Sequence, residues 1–133
     1  MDKKGLKYWL ALNRVRGAGQ FDLKGVMEMF GSPEEIFSTS TRRLEAFSLV
    51  FAGAVKEFSG WEWADRELEL IEEHGATVVT FADPGFPPPL KRICDPPWLL
   101  YMKGAGCDFQ SPAVAVVGTR RPSHYGLRMA EHI

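Results

Sequence analysis

The sequence is poor in cysteine, in histidine and in long apolar runs. It holds two cysteines and three histidines in 133 residues, and Cys94 and Cys107 have neither the paired spacing nor the neighbouring histidines of a zinc site. No apolar run approaches the roughly 20 residues that a membrane-spanning helix needs, and the N-terminus lacks the apolar core of a secretory signal. These absences predict no metal and no membrane span, and they favour a cytoplasmic protein with two free, buried thiols.

A strong charge of either sign is also absent, because the formal net charge is −1. Such a balance disfavours a protein that binds nucleic acid over its whole surface. The charges are unevenly distributed, however: residues 61–74 contain six acids and one base, whereas the residues from Pro84 onward contain six bases and three acids. A local basic face is sufficient to bind a polyanion.

Helical signals fill the chain up to Gly75. Apolar residues recur at helical spacing in residues 23–30, and Gly31 follows as a stop signal. Ser32 and Pro33 then fit an N-cap and the first position of a new helix. Further helices are predicted around Leu6, Trp9 and Leu10, over residues 41–47, around Phe51, Val55 and Phe58, and over residues 61–74. Five or six short helices predict a helical domain over residues 1–74.

Strand signals follow Gly75. Residues 76–81 are β-branched and residues 99–103 are apolar, which predicts two strands. The proline-dense stretch from Phe86 to Trp98 is expected to form neither a regular helix nor a central strand, and to pack the helical part against the sheet. Asp83 and Asp95 are interpreted there as turn-forming residues.

The run Ala113 to Val117 is typical of a buried parallel strand, and a helix is expected to begin near Gly126. A parallel sheet needs further strands and crossovers, for which the chain has no room. We therefore expect the N-terminal part of a larger protein, with residues 75–133 as the start of an α/β domain.

The loop that begins at Gly118 is the first candidate site, because open α/β sheets bind ligands at the carboxyl ends of their strands. Glycine, hydroxyl groups and guanidinium groups in this loop suit a phosphate. The spacing is neither a dinucleotide fingerprint nor a P-loop. On the residues alone, a surface loop with a structural arginine is an open alternative. The candidate DNA contacts are Gly118, Thr119, Arg120, Arg121, Ser123 and Tyr125, whose ring is suited to stacking on a base or to packing under the loop.

The turn Gly17-Ala18-Gly19 is the second candidate site. It joins two predicted helices, as in a helix-hairpin-helix, where backbone N–H groups hold a DNA phosphate. Arg14 and Arg16 would add positive charge, and Arg16, Gly17 and Gly19 are the candidate secondary phosphate contacts. The alternative is a tight interhelical turn in which glycine serves backbone freedom alone.

The succession of these motifs resembles the DprA/Smf family of DNA-processing proteins. The resemblance rests on the Gly118 loop, on Asp95-Pro96-Pro97 followed by Leu100-Tyr101-Met102-Lys103-Gly104, on the run from Asp83 to Ile93, and on the helical motifs Gly17-Ala18-Gly19 and Phe30 to Phe37. It spans essentially the whole chain, in order. Thr119 stands where the family usually has serine, and Phe86 stands where tyrosine is common.

The resemblance implies a helical domain like a sterile alpha motif, followed by the first strands of a Rossmann-like fold. It implies binding and protection of single-stranded DNA, loading of the RecA recombinase in natural transformation, no catalytic activity and no cofactor. Gly118, Thr119 and Arg120 would line the single-strand pocket. The full-length protein would be a homodimer whose RecA-facing surface lies outside this chain, and the chain alone would be a monomer or would pair through strand edges.

Two other classes of function remain alternatives. One is a Rossmann-like enzyme that binds a nucleotide and cleaves its glycosidic bond, which would need a phosphate loop and a catalytic glutamate that the sequence does not offer. The other is a helical interaction module that docks a protein through the acidic face of residues 61–74, with Glu69 and Glu72 as contacts.

Overall fold

The structure is a computed structural model, and it describes residues 2–16, 21–104, 109, 111, 114 and 116–132. Within these residues the chain forms eight helices and two strands. The helices are α1 (Lys3–Arg16), α2 (Leu23–Phe30), α3 (Pro33–Ser38), α4 (Thr41–Phe47), α5 (Leu49–Lys56), α6 (Trp61–Glu73), α7 (Pro88–Lys91) and α8 (His124–His132), and the strands are β1 (Thr77–Thr80) and β2 (Leu99–Met102). The described part is α+β and mostly helical, as predicted at this coarse level.

Side-chain caps and glycines set the helix ends where the sequence indicated them. The Ser32 hydroxyl accepts a hydrogen bond from the Glu35 N–H at 3.2 Å, which caps α3. Gly31 ends α2 with φ +81°, a conformation that residues with a Cβ rarely adopt. Six helices precede Gly75, so the predicted number of short helices is confirmed, although Phe58 lies just beyond the end of α5.

The core is built around α1, which packs against α3, α5, α6 and β2. Leu10 and Leu12 of α1 are fully buried, and so are Ile36 and Phe51 from the helices that surround it. Aromatic rings fill much of the remaining core, and the rings of Phe47 and Phe51 meet edge to face at 5.6 Å. Burial of this apolar surface is the main force that holds the short helices together.

The two strands form an antiparallel pair in which Thr77 faces Met102 and Thr80 faces Leu99. Trp98 and Leu99 belong to the same buried cluster as the residues of α1. The antiparallel pair of strands, which we call the hairpin, therefore packs directly on the helices. The division into domains at residues 74 and 75 stays a prediction, and the core includes residues from both sides of it.

Two expectations are wrong for the proline-dense connector, which comprises residues 86–98. It contains the one-turn helix α7, because proline is tolerated in the first turn of a helix, where its missing N–H has no partner to lose. Cys94 is free but exposed, so the prediction of a buried thiol is wrong for this residue. It lies in the turns between α7 and β2, where nothing covers it. Cys107 lies outside the described residues.

The predicted third strand is also corrected as far as it is described. Val114, Val116 and Val117 are in no strand and are exposed, with 89% of Val117 accessible, while Ala113 and Ala115 lie outside the described residues. An apolar run becomes a buried strand only when a neighbour completes its hydrogen-bond ladder and other layers cover its faces. The described sheet has two strands, and neither pairs with this run.

Candidate nucleic-acid interface

The Gly118 loop leads into α8 and is open to solvent along its length. Every residue from Val116 to Tyr125 is exposed, and no residue of α8 is buried. We call residues 116–132 the exposed segment, and residues 2–16 and 21–104 the packed body. All six candidate DNA contacts lie between Gly118 and Tyr125, a stretch of eight residues inside the exposed segment. They therefore share one surface region.

Two hydroxyl groups fix the local path of this loop. The Thr119 hydroxyl accepts a hydrogen bond from the Arg121 N–H at 3.3 Å, which makes a tight turn. The Ser123 hydroxyl accepts one from the Gly126 N–H at 3.2 Å, in the manner of an N-cap at the start of α8. In both cases the oxygen is the acceptor, so the hydroxyl hydrogen is still available to a ligand.

The arginines of this loop carry charge that no described acid neutralises. Arg120 and Arg121 are exposed and form no ion pair with any carboxylate in the described part of the chain. A guanidinium group is always ionised and offers donors in a fork that matches a phosphate. The loop therefore presents two permanent positive charges next to a helix N-terminus, which also favours an anion.

A shallow cavity of about 350 Å³ lies between the loop and α8. Its lining includes Gly118, Thr119, Ser123, Gly126 and Leu127. The cavity thus combines polar groups of the loop with apolar side chains from both the loop and α8. Tyr125 is 65% exposed, so its ring does not pack under the loop.

No described contact of Gly118 requires a glycine. Its φ is not in the left-handed region, and a Cβ placed on it would meet no described atom within 4 Å. Neither a positive φ nor a close contact with a described atom therefore accounts for glycine at this position. Close approach of a ligand to the backbone is another recognised reason.

Only one of the three residues of the second candidate site, Arg16, lies within the part of the chain that the structure describes. Gly17 and Gly19 lie outside the described residues. Arg16 is described, and its Nη2 donates a hydrogen bond to Oδ1 of Asp95. Its Cζ lies 5.8 Å from the centre of the Trp98 ring. Arg14 also has an intramolecular partner, because its guanidinium lies 4.4 Å from the centre of the Trp63 ring.

The two aspartates of the connector have different roles. Asp83 folds the turn after β1, as predicted, because its Oδ2 accepts hydrogen bonds from the N–H and the hydroxyl of Thr80, both at 2.7 Å. Asp95 pairs with Arg16, which sequence reasoning missed. The two residues are 79 positions apart, and no local pattern signals a contact of that range.

The acids of α6 are largely paired within the chain. Oε1 of Glu72 lies 2.5 Å from Nζ of Lys3, and Oδ1 of Asp65 lies 2.6 Å from Nζ of Lys7. Glu69 pairs with Arg66. Burial raises the pKa of Tyr101, and a hydrogen bond to Glu67 raises it further. The acidic face proposed as a protein-docking surface is therefore already in contact with α1, with β2 and with its own helix.

Two further observations concern the part of the chain that the structure describes. No group of three or more histidine, cysteine or acidic side chains is arranged to hold a metal ion. No helix is both long and apolar enough to cross a membrane.

Comparison with known proteins identifies the class. A family model described as DNA recombination-mediator protein A matches residues 77–133, which include both strands, the Gly118 loop and α8. The chain is 29% identical to "Protein Smf" of Synechocystis sp. (strain ATCC 27184 / PCC 6803 / Kazusa) over 133 residues, covering 95% of this chain and 33% of that protein. It is 32% identical to "DNA processing protein DprA" of Bacillus subtilis (strain 168) over 69 residues, covering 51% of this chain and 23% of that protein. No solved structure is significantly similar to the chain.

The chain is thus related to DNA recombination mediators, through the part that contains the Gly118 loop. More particularly, the family match and both relatives support membership of the DprA/Smf family. It spans about a third of the length of the Synechocystis relative and about a quarter of that of the Bacillus relative.

Proposed function

We propose that the protein binds single-stranded DNA and that the Gly118 loop is one wall of the binding site. The observation that carries the proposal is the pair of exposed arginines, Arg120 and Arg121, which have no ion-pair partner among the described residues and lie in the segment that matches the recombination-mediator family. A guanidinium grips a phosphate with charge-assisted hydrogen bonds, and exposed tyrosine rings stack on unpaired bases. The loop supplies both kinds of group.

The wider role that we propose is protection of single-stranded DNA and loading of RecA during natural transformation. In this proposal the helical part resembles a sterile alpha motif, and residues from 75 onward begin a Rossmann-like domain that the rest of a longer protein completes. The protein acts as a homodimer, without a cofactor or catalytic activity, and works in the cytoplasm because RecA and incoming DNA meet there. The printed descriptions of the matching family and of the Bacillus relative support the part of this proposal that concerns DNA processing and recombination.

The experiment is fluorescence anisotropy of a labelled dT oligomer with the wild-type chain, Arg120→Ala and Arg42→Ala. Arg42 is an exposed arginine of α4 and controls for the loss of one charge. We expect Arg120→Ala to weaken binding by about 1–3 kcal/mol, the worth of a charge-assisted contact. Arg42→Ala should change it far less. Equal affinities of Arg120→Ala and the wild type at fixed salt would remove Arg120 from the site.

Gly118→Ala separates a binding role from a structural one. Because a Cβ at this position meets no described atom within 4 Å, the free energy of unfolding should stay within about 0.5 kcal/mol of the wild-type value. Affinity for the dT oligomer should still fall if the DNA backbone approaches this glycine closely. Unchanged affinity would exclude that approach.

The docking alternative rests on Glu69 and Glu72, whose ion pairs with Arg66 and Lys3 are exposed and lie on the surface, and no observation of the described residues favours a protein partner there. The glycosidase alternative rests on no observation of the described residues.

A further inference from the structure

The ion pair between Arg16 and Asp95 joins the end of α1 to the connector before β2. Arg16 is the last residue of α1 and is the described member of the predicted secondary phosphate site, whose Gly17 and Gly19 lie outside the described residues. The guanidinium that would serve that site is therefore already bound to a carboxylate of the same chain.

The contact with Asp95 uses only part of the guanidinium. The bond runs from Nη2 to one carboxylate oxygen, whereas the full fork of an arginine can bind an anion through two parallel hydrogen bonds. The guanidinium also lies near the ring of Trp98. Trp98 is fully buried, so the position of this ring is fixed by the core around it. The guanidinium therefore has a buried ring and a carboxylate of its own chain as neighbours.

The accessibility of the two partners permits exchange. The Arg16 side chain is 24% exposed and that of Asp95 is 56% exposed. Ion pairs this accessible to water contribute little net stability and are screened by salt. A polyanion that makes several contacts at once can therefore replace one carboxylate.

We propose that Asp95 is an intramolecular competitor that occupies the Arg16 guanidinium in place of a phosphate, and so lowers the affinity of the chain for nucleic acid until a bound strand displaces it. The inference rests on the proposed function, because it presumes a nucleic-acid ligand. It concerns a second contact point on the packed body, separate from the Gly118 loop.

The chain offers a closely matched control. Lys7 also lies on α1, and its ion pair with Asp65 has almost the same accessibility, with the two side chains 28% and 55% exposed. Asp95→Asn and Asp65→Asn both change the formal net charge from −1 to zero. Only Asp95→Asn releases Arg16.

The test measures binding of a labelled dT oligomer over a salt series. We expect Asp95→Asn to bind roughly threefold to tenfold more tightly than the wild type at low salt, with a salt slope steeper by about 0.7 for one added phosphate contact. Asp65→Asn should differ from the wild type by less than about twofold, as expected of a distant surface charge. Asp95→Glu, which keeps the competing carboxylate, should bind like the wild type. The double variant Arg16→Gln with Asp95→Asn should lose the gain.

Two results would overturn the proposal: no gain in Asp95→Asn, or an equal gain in Asp65→Asn, which would reduce the effect to net charge. The wild-type chain provides a second readout by NMR. Its Arg16 Nε–H resonance should shift when the dT oligomer is added, and a resonance that stays in place at saturation would contradict displacement of Asp95.

The same series tells this inference apart from the proposed function. If Arg120→Ala loses affinity while Asp95→Asn gains none, the Gly118 loop binds DNA and the competition by Asp95 is wrong. If Arg120→Ala binds like the wild type while Asp95→Asn gains affinity, the role of the loop is wrong and the competition by Asp95 stands.

Discussion

The packed body and the exposed segment differ in what their residues do for the chain. In the packed body, a single buried cluster runs from α1 through the helices to Trp98 and Leu99 of the hairpin. In the exposed segment, every residue except Gly126 is exposed, and the only described hydrogen bonds are local. An exposed residue that makes no packing contact among the described residues is free to contact another molecule. The comparison therefore places the described core contacts in the first region and agrees with the proposal that the second region contacts a ligand.

The largest effect on the packed body should come from its aromatic centre. Phe51 is fully buried and contacts the rings of Phe21, Phe30 and Phe47. Phe51→Ala should lower the free energy of unfolding by about 3–5 kcal/mol, because it leaves a cavity among rings that cannot all collapse into it. Urea denaturation followed by circular dichroism measures the change. A loss below about 1 kcal/mol would show that the core is not packed as described.

A smaller effect should come from the turn after β1. Thr80 is fully buried, and Asp83 accepts the hydrogen bonds of both its N–H and its hydroxyl. Asp83→Ala leaves these donors without a partner and should cost about 1–3 kcal/mol. Asp83→Asn keeps one acceptor oxygen and should cost less. Equal stability of Asp83→Ala and the wild type would mean that the buried donors find other partners.

Two glycines of the packed body should respond to alanine with opposite signs. Gly31 has φ +81°, so Gly31→Ala should destabilise the chain by about 1–2 kcal/mol. Gly53 lies inside α5, with open space where a Cβ would stand, so Gly53→Ala should stabilise it by about 0.5–1 kcal/mol. Changes of the same sign in both variants would contradict the assigned end of α2 or the assigned interior of α5.

The smallest effect should come from the exposed segment. Val117 is 89% exposed, and surface substitutions of this kind change stability by less than about 0.5 kcal/mol. Val117→Ala should therefore leave the urea midpoint unchanged within error. A loss comparable to that of Phe51→Ala would show that the valine run is buried in solution, which would break the contrast between the two regions.

The packed body is also the region where sequence reasoning succeeded. Ser32, Pro33 and Gly31 each specify a local geometry, and the helices that they bound form as predicted because the apolar faces of those helices meet a common core. The strands 77–80 and 99–102 follow from their β-branched and apolar residues in the same way. The one-turn helix at Pro88 was missed because proline was read as a breaker, although it starts helices well.

Long-range contacts could not be predicted from local pattern. The pairing of Arg16 with Asp95 depends on how the connector folds back over α1, and nothing within a few residues of either partner encodes it. The valine run before Gly118 has the composition of a strand, but composition supplies neither a ladder partner nor a covering layer. The roles of Gly118 and Arg120 rest on the phosphate-binding chemistry of the loop and on the family resemblance, and they stay predictions because no contact among the described residues explains or excludes them.

NMR titration of the 15N-labelled chain with a dT oligomer tests the central claim most directly, since it reports binding residue by residue. The account predicts that the largest shifts of amide resonances fall between Gly118 and Tyr125, with a second, weaker set near Arg16, while amides at the core of the packed body stay in place. Shifts concentrated on the acidic face of α6, with none in the Gly118 loop, would contradict it.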